Sequence, residues 1–501
     1  MSSPEAYDFS QVAPAPVPFP RRLPTPTRVD LARRSVAIAT SVARHFGPLI
    51  ARDAWSRTTR HGPVLAVDDA WAPPLRAVFE DLGATFMKFG QILGSAPSVF
   101  GEGVAAEFRA CLDTGPRESF EAVREIIEAD LGRPLLDAYA EFDTEPIGRA
   151  SIAVVHKARL HDGRVVAVKI LRPGIDEQVA TDLELMAPLI ARLAGEVGPA
   201  AAQLVQILDG FRDQVAEELD LRNEARAMAH YRTLLSLVEL PLVTVPAPIF
   251  ELSAMRTLTM EYLDGVPIDD LAAIGTFGVD PVPVVEQVVR AFLMTAVLFG
   301  TFHGDVHSGN LLLLRDGRVG VLDWGIVGRL DPATHHFFRS VIAAALGHEE
   351  AWDDIVAHFE RTYGDALADG FGLEGPALRN FIRSVMEPVL NQPFGQVSIG
   401  DMIAAPQRQV DVALGLAAGD RSARARLRRW RTHRRLRAQV EELGTLNGAT
   451  FDRGTFLLGK QLVYFERYGK LFLADRSIFE DRAFFEALLA APVPPALEFT
   501  G

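Results

Sequence analysis

Residues 302–325 constrain this chain more than any other stretch. They read Phe302-His303-Gly304-Asp305-Val306-His307-Ser308-Gly309-Asn310, then an apolar run, a turn at Asp316-Gly317, and Val321-Leu322-Asp323-Trp324-Gly325. Asn310 follows Asp305 by five residues, and Asp323 follows Asn310 by thirteen. Taken singly, loops rich in Asp, Gly and Asn are ordinary turns. Together, and each next to an apolar strand, they supply what phosphoryl transfer requires. Terminal phosphate oxygens carry dense negative charge, Mg²⁺ neutralises it, and Mg²⁺ takes hard oxygen donors. The spacing predicts Asn310 and Asp323 as metal ligands and Asp305 as the carboxylate that orients the attacking hydroxyl.

Composition bounds the rest. At 501 residues the chain exceeds one ordinary core, so two or three structural units are expected. The net charge of −14 argues against a nucleic-acid partner. Cys111 is the only cysteine, which excludes a disulfide framework or a cysteine zinc site and fits a reducing, cytoplasmic setting. Residues 1–30, rich in Pro and Ser, read as a disordered tail with no apolar leader. No apolar stretch reads as long enough to span a bilayer; the nearest is Ala291–Phe302.

Residues 29–55 have apolar residues at helical spacing with arginines between them, which suits a core-packed helix or, as the competing reading, a helix on an anionic membrane surface. Residues 81–100 read as an apolar helix with Lys88 and Gln91 on one face. Ser119 opens a capped helix pair running to Phe142. A small-residue loop, Gly148-Arg149-Ala150-Ser151-Ile152-Ala153, leads into a β-hairpin with its turn at Asp162-Gly163. On the second strand Val166, Val168 and Ile170 share one face, while Ala167 and Lys169 share the other. A Val-Ala-Val-Lys strand sets a small residue against an adenine and an ammonium against phosphates. Such a lysine needs an acid on a helix. In the helical stretch 203–235, Glu224 is the first choice and Glu218 the second. Glu218 and Asp220 lie about 200° apart on a regular helix, so one ligand meets both only if the helix starts or bends there. Residues 256–265 read as a strand entering a hinge, with Glu261 to Leu263 at the adenine edge, and 282–299 as a helix beneath the catalytic loop. Four further helices are expected at 332–346, 348–360, 374–386 and 456–474. Arg421–Arg437 holds nine arginines, read as a solvated face or a patch for anionic lipid.

These motifs together resemble the UbiB/AarF family of atypical kinase-like proteins, associated with quinone biosynthesis in bacteria and mitochondria. The resemblance runs from about Leu82 to at least Leu330. It rests on Lys88-Phe89-Gly90-Gln91, similar to the family's K-x-G-Q element; on Glu218-Leu219-Asp220, similar to its E-x-D motif; on Ala150-Ser151-Ile152-Ala153; and on the two loops of the opening stretch. The chain departs from the family pattern at Gly148-Arg149, Val154, Ser308 and Trp324, and shows none of the C-terminal membrane segments many members carry. The resemblance implies that the extension folds over the active site, with Lys88 and Gln91 against Glu218 or Asp220 closing the groove to protein substrates.

The expected fold is therefore α+β: a two-lobed protein-kinase-like fold with a helical N-terminal extension (31–140) over the active site, a nucleotide-binding N-lobe (141–264) and a helix-rich C-lobe (265–501). The expected cofactors are ATP and Mg²⁺. Gly148, Arg149, Ala150, Ser151, Ala153, Ala167, Lys169, Glu224, Glu261 and Leu263 would bind nucleotide, and Asp305, Lys169 and Lys88 would serve catalysis. The expected activity is an ATPase or a kinase of small molecules or lipids, quinone precursors among them, with peripheral contact to the inner face of an anionic membrane. An ordinary protein or small-molecule kinase and a nucleotide-gated scaffold are the alternatives.

Overall fold

The computed structural model describes residues 15–19, 21–58, 71–95, 102–108, 118–197, 200–238, 240–371, 374–390, 392–396 and 453–497. Residues 1–14, Cys111 and the Arg421–Arg437 run lie outside them. Helix α1 (Arg28–Thr58) begins where Thr27 and Asp30 exchange hydrogen bonds. It is followed by α2 (Ala72–Leu82), α3 (Ala84–Ser95) and α4 (Glu102–Phe108). These helices share an aromatic core in which Phe79 meets Phe86 and Phe108 edge-on at 5.6 and 5.2 Å. Gly90 is required there, because a Cβ would sit 2.9 Å from the Phe108 ring. One side of α1 packs inward through Ser41 and Leu49, while Val29, Val36, Val42 and Ile50 stay exposed.

Ser119 caps α5 (Phe120–Leu131), and Gly132, in the left-handed region, ends it. The second helix of the pair, α6 (Leu135–Ala138), stops four residues short of Phe142. Strands β1 (Glu141–Phe142), β2 (Gly148–Arg149), β3 (Ala153–Arg159) and β4 (Val165–Leu171) follow. The alternation on β4 holds: Val166, Val168 and Ile170 pack with Ile126 and Ile127 of α5, while Ala167 and Leu171 join the main core. Each such aliphatic side chain contributes about 1.5–3 kcal/mol on burial. Helix α7 (Ile175–Val197), which the sequence reading passed over, receives the extension: Asp182 accepts from Arg34 Nε and Nη2 at 2.5 and 2.9 Å. The long helical stretch proves to be two helices, α8 (Ala200–Glu218) and α9 (Leu221–Leu237), broken at Leu219-Asp220.

β5 (Val243–Thr244) precedes β6 (Thr257–Glu261) and β7 (Gly265–Pro267). The antiparallel order β1-β3-β4-β6, with β2 beside β3, makes one sheet. After α10 (Leu271–Phe277) and α11 (Pro281–Phe299) come β8 (Thr301–His303), β9 (Leu311–Leu314), β10 (Val319–Val321) and β11 (Val327–Arg329). β5, inside the stretch read as N-lobe, instead pairs in parallel with β10 in the order β5-β10-β9-β7, and β8 pairs with β11. Helices α12 (Pro332–Ala345), α13 (Ala351–Phe371), α14 (Gly375–Leu390), α15 (Arg453–Phe472) and α16 (Arg482–Ala490) complete the described chain.

Two expectations need correction. α11 is long and apolar enough to cross a membrane by length and composition, against the expectation that no stretch is; 67% of its most apolar window is buried in the fold. The predicted disordered tail does not extend through residue 30. Residues 15–19 and 21–27 have no regular secondary structure, and the first of these segments docks on α9: Phe19 N donates to Asn223 Oδ1 at 2.8 Å, and Arg226 donates to Val17 O at 3.1 Å. The Phe19 ring lies 4.7 Å from Arg222 and 4.4 Å from Arg226, and Arg329 donates to Pro16 O at 2.9 Å. Proline-rich backbone costs little entropy to order, and the two guanidinium contacts repay it.

Candidate functional site

The pairing of β8 with β11 and of β9 with β10 brings the two opening loops side by side. Leu322 N donates to Asn310 O at 2.8 Å, and Gly304 N donates to Ile326 O at 2.9 Å. His303 bridges them as well. Its Nδ1 accepts from Asp305 N at 3.0 Å, so Nε2 carries the proton and donates to Leu322 O at 2.9 Å. Burial lowers its pKa, consistent with that neutral ring. Trp324 turns inward, donating to Val321 O and packing on Tyr231 and His303 at 4.1 and 4.5 Å. This turn leaves Asp323 pointing into the cleft with φ 53°, the one positive φ outside glycine among the described residues. That conformation is tolerated best by Asp and Asn and is typical of functional sites.

Lys169 Nζ lies 2.8 Å from Glu224 Oε2 and 2.9 Å from Asp323 Oδ1, almost fully buried. Burial opposes its charge, but the two carboxylates outweigh burial and push its pKa up. Burial also opposes ionisation of Asp323, and there Lys169, with Lys88 and His307, wins and holds the carboxyl below the ordinary range. For Glu224 burial wins, helped by the charges of Asp323 and Glu218, and its pKa rises. The first-choice acid is thus the one that meets the strand lysine. Glu218 instead meets Lys88 at 2.6 Å. Its pKa is raised by burial despite that partner.

Asp220 takes no part in that pair. It caps α9 by accepting from Arg222 N at 3.2 Å and pairs with the Arg222 side chain at 2.6 Å. The helix break between Glu218 and Asp220 turns the two acids to different partners. Gln91 stays half-buried one turn along α3.

The loop before β3 is drawn inward by a residue the sequence reading did not single out. Arg172 donates to Ala150 O through Nε and Nη2 at 3.0 and 2.8 Å and to Glu118 at 2.9 Å. Ala150, Ser151 and Ile152 consequently line a cavity with Lys88, Lys169, Glu218, Glu224, Asp323 and Gly325. Gly148, Arg149 and Ala153 do not line it: Arg149 lies 3.8 Å from Glu145, and Ala153 is buried in the core. The cavity holds about 20 Å³, room for roughly one water. Ala167 pairs with Met260 across the sheet, Glu261 is exposed with its N–H on Ala247 O at 2.9 Å, and Leu263 is buried against Gly320.

Asp305 is held from an unexpected direction. Lys460 of α15 places Nζ 2.7 Å from Oδ1, while His307 Nε2 is 3.9 Å from Oδ2. Burial would raise the Asp305 pKa, but Lys460 and His307 bring it down. Gln461 donates to Gly304 O at 2.6 Å and accepts from Val306 N at 2.9 Å, and Tyr468 donates to Val306 O at 2.7 Å. The signal in the sequence was slight: a glutamine beside a lysine on a helix whose neighbouring turns carry Leu457, Tyr464 and Tyr468.

The donor set fits Mg²⁺. Asn310 donates an amide N–H to Asp305 O at 2.9 Å, so its side-chain oxygen is not spent in that bond and could serve a metal together with Asp323. At Gly325 a Cβ would crowd Asp323 Oδ1 at 3.3 Å, so the glycine keeps that oxygen accessible. Among the described residues no three His, Cys, Asp or Glu side chains form a closed metal cage. Two protein oxygens with the remainder from phosphates and water is the usual Mg²⁺ arrangement.

Residues 111–352 match a family model described as the ABC1 atypical kinase-like domain. An uncharacterized chloroplastic aarF domain-containing protein kinase of Arabidopsis thaliana is 32% identical over 413 residues, 81% of this chain and 73% of that one. A probable protein kinase UbiB of Xylella fastidiosa is 32% identical over 337 residues, 66% of this chain and 59% of the relative. An uncharacterized protein of Mycobacterium tuberculosis is 38% identical over 278 residues, 54% of this chain and 56% of the relative. Among solved structures, the complex of Mycobacterium tuberculosis Rv3197 with erythromycin covers 74% of this chain and 90% of that one, at 24% identity and a TM-score of 0.41.

Proposed function

Because this chain belongs to the ABC1 (UbiB/aarF) family of atypical kinase-like proteins, we propose that it is a Mg²⁺-dependent ATP-using phosphotransferase or ATPase serving isoprenoid-quinone or lipid metabolism. The observation that carries this reading is Lys169 within 2.9 Å of both Glu224 and Asp323. That triad fixes an ammonium beside a metal-ligand carboxylate, as phosphoryl transfer requires. Asn310 and Asp323 would hold Mg²⁺, which neutralises the terminal phosphates when bound. Lys169 receives phosphate oxygens, and Ala167 leaves room for the base. Asp305 Oδ2 accepts the O–H of water or of a lipid-derived hydroxyl. That oxygen forms the new O–P bond as the bond from the terminal phosphorus to the diphosphate oxygen breaks. Its proton passes to Asp305, and the electron pair leaves with ADP. Lys88, paired to Glu218 within the same small cavity, favours a small or lipid acceptor over a protein segment.

The test is phosphate release from ATP with and without Mg²⁺, alone and with anionic vesicles or phenolic quinone precursors. We expect Mg²⁺-dependent turnover in the wild type and at least a ~100-fold loss in Asp323→Asn. Nucleotide binding with no turnover under any of these conditions would reject the reading and leave a nucleotide-gated scaffold.

A further inference from the structure

We propose that Lys460, on α15, is a positioning residue for phosphoryl transfer that orients Asp305 and offsets its charge where the terminal phosphate would lie. This inference rests on the reading above and deepens it at the same site. Helix α15 does not pass the catalytic loop by chance. Gln461, fully buried, takes the backbone on both sides of Asp305, donating to Gly304 O and accepting from Val306 N. Tyr468 adds a bond to Val306 O, and Arg453 at the helix start pairs with Glu217 through both nitrogens at 2.8 and 2.9 Å. One helix is thereby fixed to the catalytic loop and to the residue beside Glu218.

With the helix so fixed, the Lys460 ammonium has little choice of position. It sits on Asp305 Oδ1 at 2.7 Å. Among the described residues the second oxygen, Oδ2, is approached by His307 at 3.9 Å, too long for a hydrogen bond. Lys460 thus selects the carboxylate rotamer that presents Oδ2 to an incoming hydroxyl. Charge gives it a second task. The site's ion pairs join four carboxylates (Glu218, Glu224, Asp305, Asp323) with three ammonium groups (Lys88, Lys169, Lys460). Lys88 and Lys169 are matched to Glu218, Glu224 and Asp323. Without Lys460, Asp305 would face the terminal phosphate with its nearest cation gone and only the more distant His307 and Lys88 to offset its charge, and the two anions would repel more strongly.

The experiment compares full-length wild type, Lys460→Met and Lys460→Arg. It measures kcat and KM for ATP, the ratio of MgATP to MgADP dissociation constants by calorimetry, and the melting temperature. In Lys460→Met we expect kcat to fall by about 10-fold or more, KM to stay within about threefold, and the preference for ATP over ADP to shrink. Lys460→Arg, which keeps the charge, should recover most of the lost kcat. A folded Lys460→Met with kcat and ATP preference both unchanged overturns the proposal. So does loss of kcat, KM and melting temperature together in both variants, which is what a purely structural lysine would give. If Lys460→Met does not fold, Lys460→Gln, which keeps a donor for Asp305 without the charge, carries the same comparison. If the wild type turns over no ATP, the proposed function fails by itself. Lys460 is then judged on binding alone, and an unchanged MgATP to MgADP ratio in the variant overturns it.

Discussion

Two lysines, each held by carboxylates, do different work because of the acids they meet. Lys169 is shared by Glu224 and Asp323, so it stays charged and ready for phosphate. Lys88 meets Glu218 at 2.6 Å, and the pKa of that acid is raised. Breaking a buried pair leaves a stranded charge, which can cost several kcal/mol. Glu218 is already inclined to take a proton and also accepts from Gln214 at 3.1 Å, which softens that cost. Lys88→Ala should therefore remain folded, losing about 1–3 kcal/mol in a denaturant melt. Because the cavity it leaves is larger, the variant should bind MgATP more tightly than the wild type. Calorimetric titration checks this, and weaker binding would show Lys88 to be a phosphate ligand in place of an occluding group. The identities of Lys88, Lys169, Asp305 and Asp323 were legible in the sequence. Lys460 and Arg172 were not: beside Lys460 there is only the weak signal of Gln461, and nothing adjacent to Arg172 marks a function.

At the scale of the element, α9 carries Glu224 and is braced from outside by residues 15–19. Phe19 lies against both Arg222 and Arg226, and Asn223 takes its backbone N–H. Each cation–π contact at a partly exposed site stabilises by about 0.5–1 kcal/mol. Phe19→Ala should lower stability by about 1–2 kcal/mol and speed hydrogen exchange of the α9 amides. Unchanged exchange in α9 would show that the segment rests on the helix without bracing it. Composition alone suggested a tail here, since proline and serine lower hydrophobicity whether or not a docking groove exists. The break between α8 and α9 was foreseen only as a condition, from the angle between Glu218 and Asp220. The fold meets that condition by ending one helix at Glu218 and starting the next after Asp220, whose side chain serves as the cap.

At the scale of the molecule, the kinase-like fold gathers residues 88, 169, 218, 224, 305, 310, 323 and 460 into one cleft from seven separate elements and loops. A ligand that binds this cleft stabilises the whole fold by mass action. MgADP at about 100 times its dissociation constant should add about 2.7 kcal/mol. The resulting rise in melting temperature should largely vanish when EDTA removes the metal; a rise that survives EDTA would argue against Asn310 and Asp323 as ligands. What the sequence by itself determined was local: the turn chemistry of the two loops, the alternation that sends Ala167 and Lys169 to one side of β4, and the helical spacing of Lys88 and Gln91. These follow from backbone geometry over a few residues and need no partner. Tertiary structure alone decided the pairings, namely Lys88 with Glu218 and not Asp220, Lys460 with Asp305, Arg172 with Ala150, and residues 15–19 with α9. An ion pair depends on a few tenths of an ångström between groups up to some 200 residues apart, and only the packing of helices against one another sets that distance.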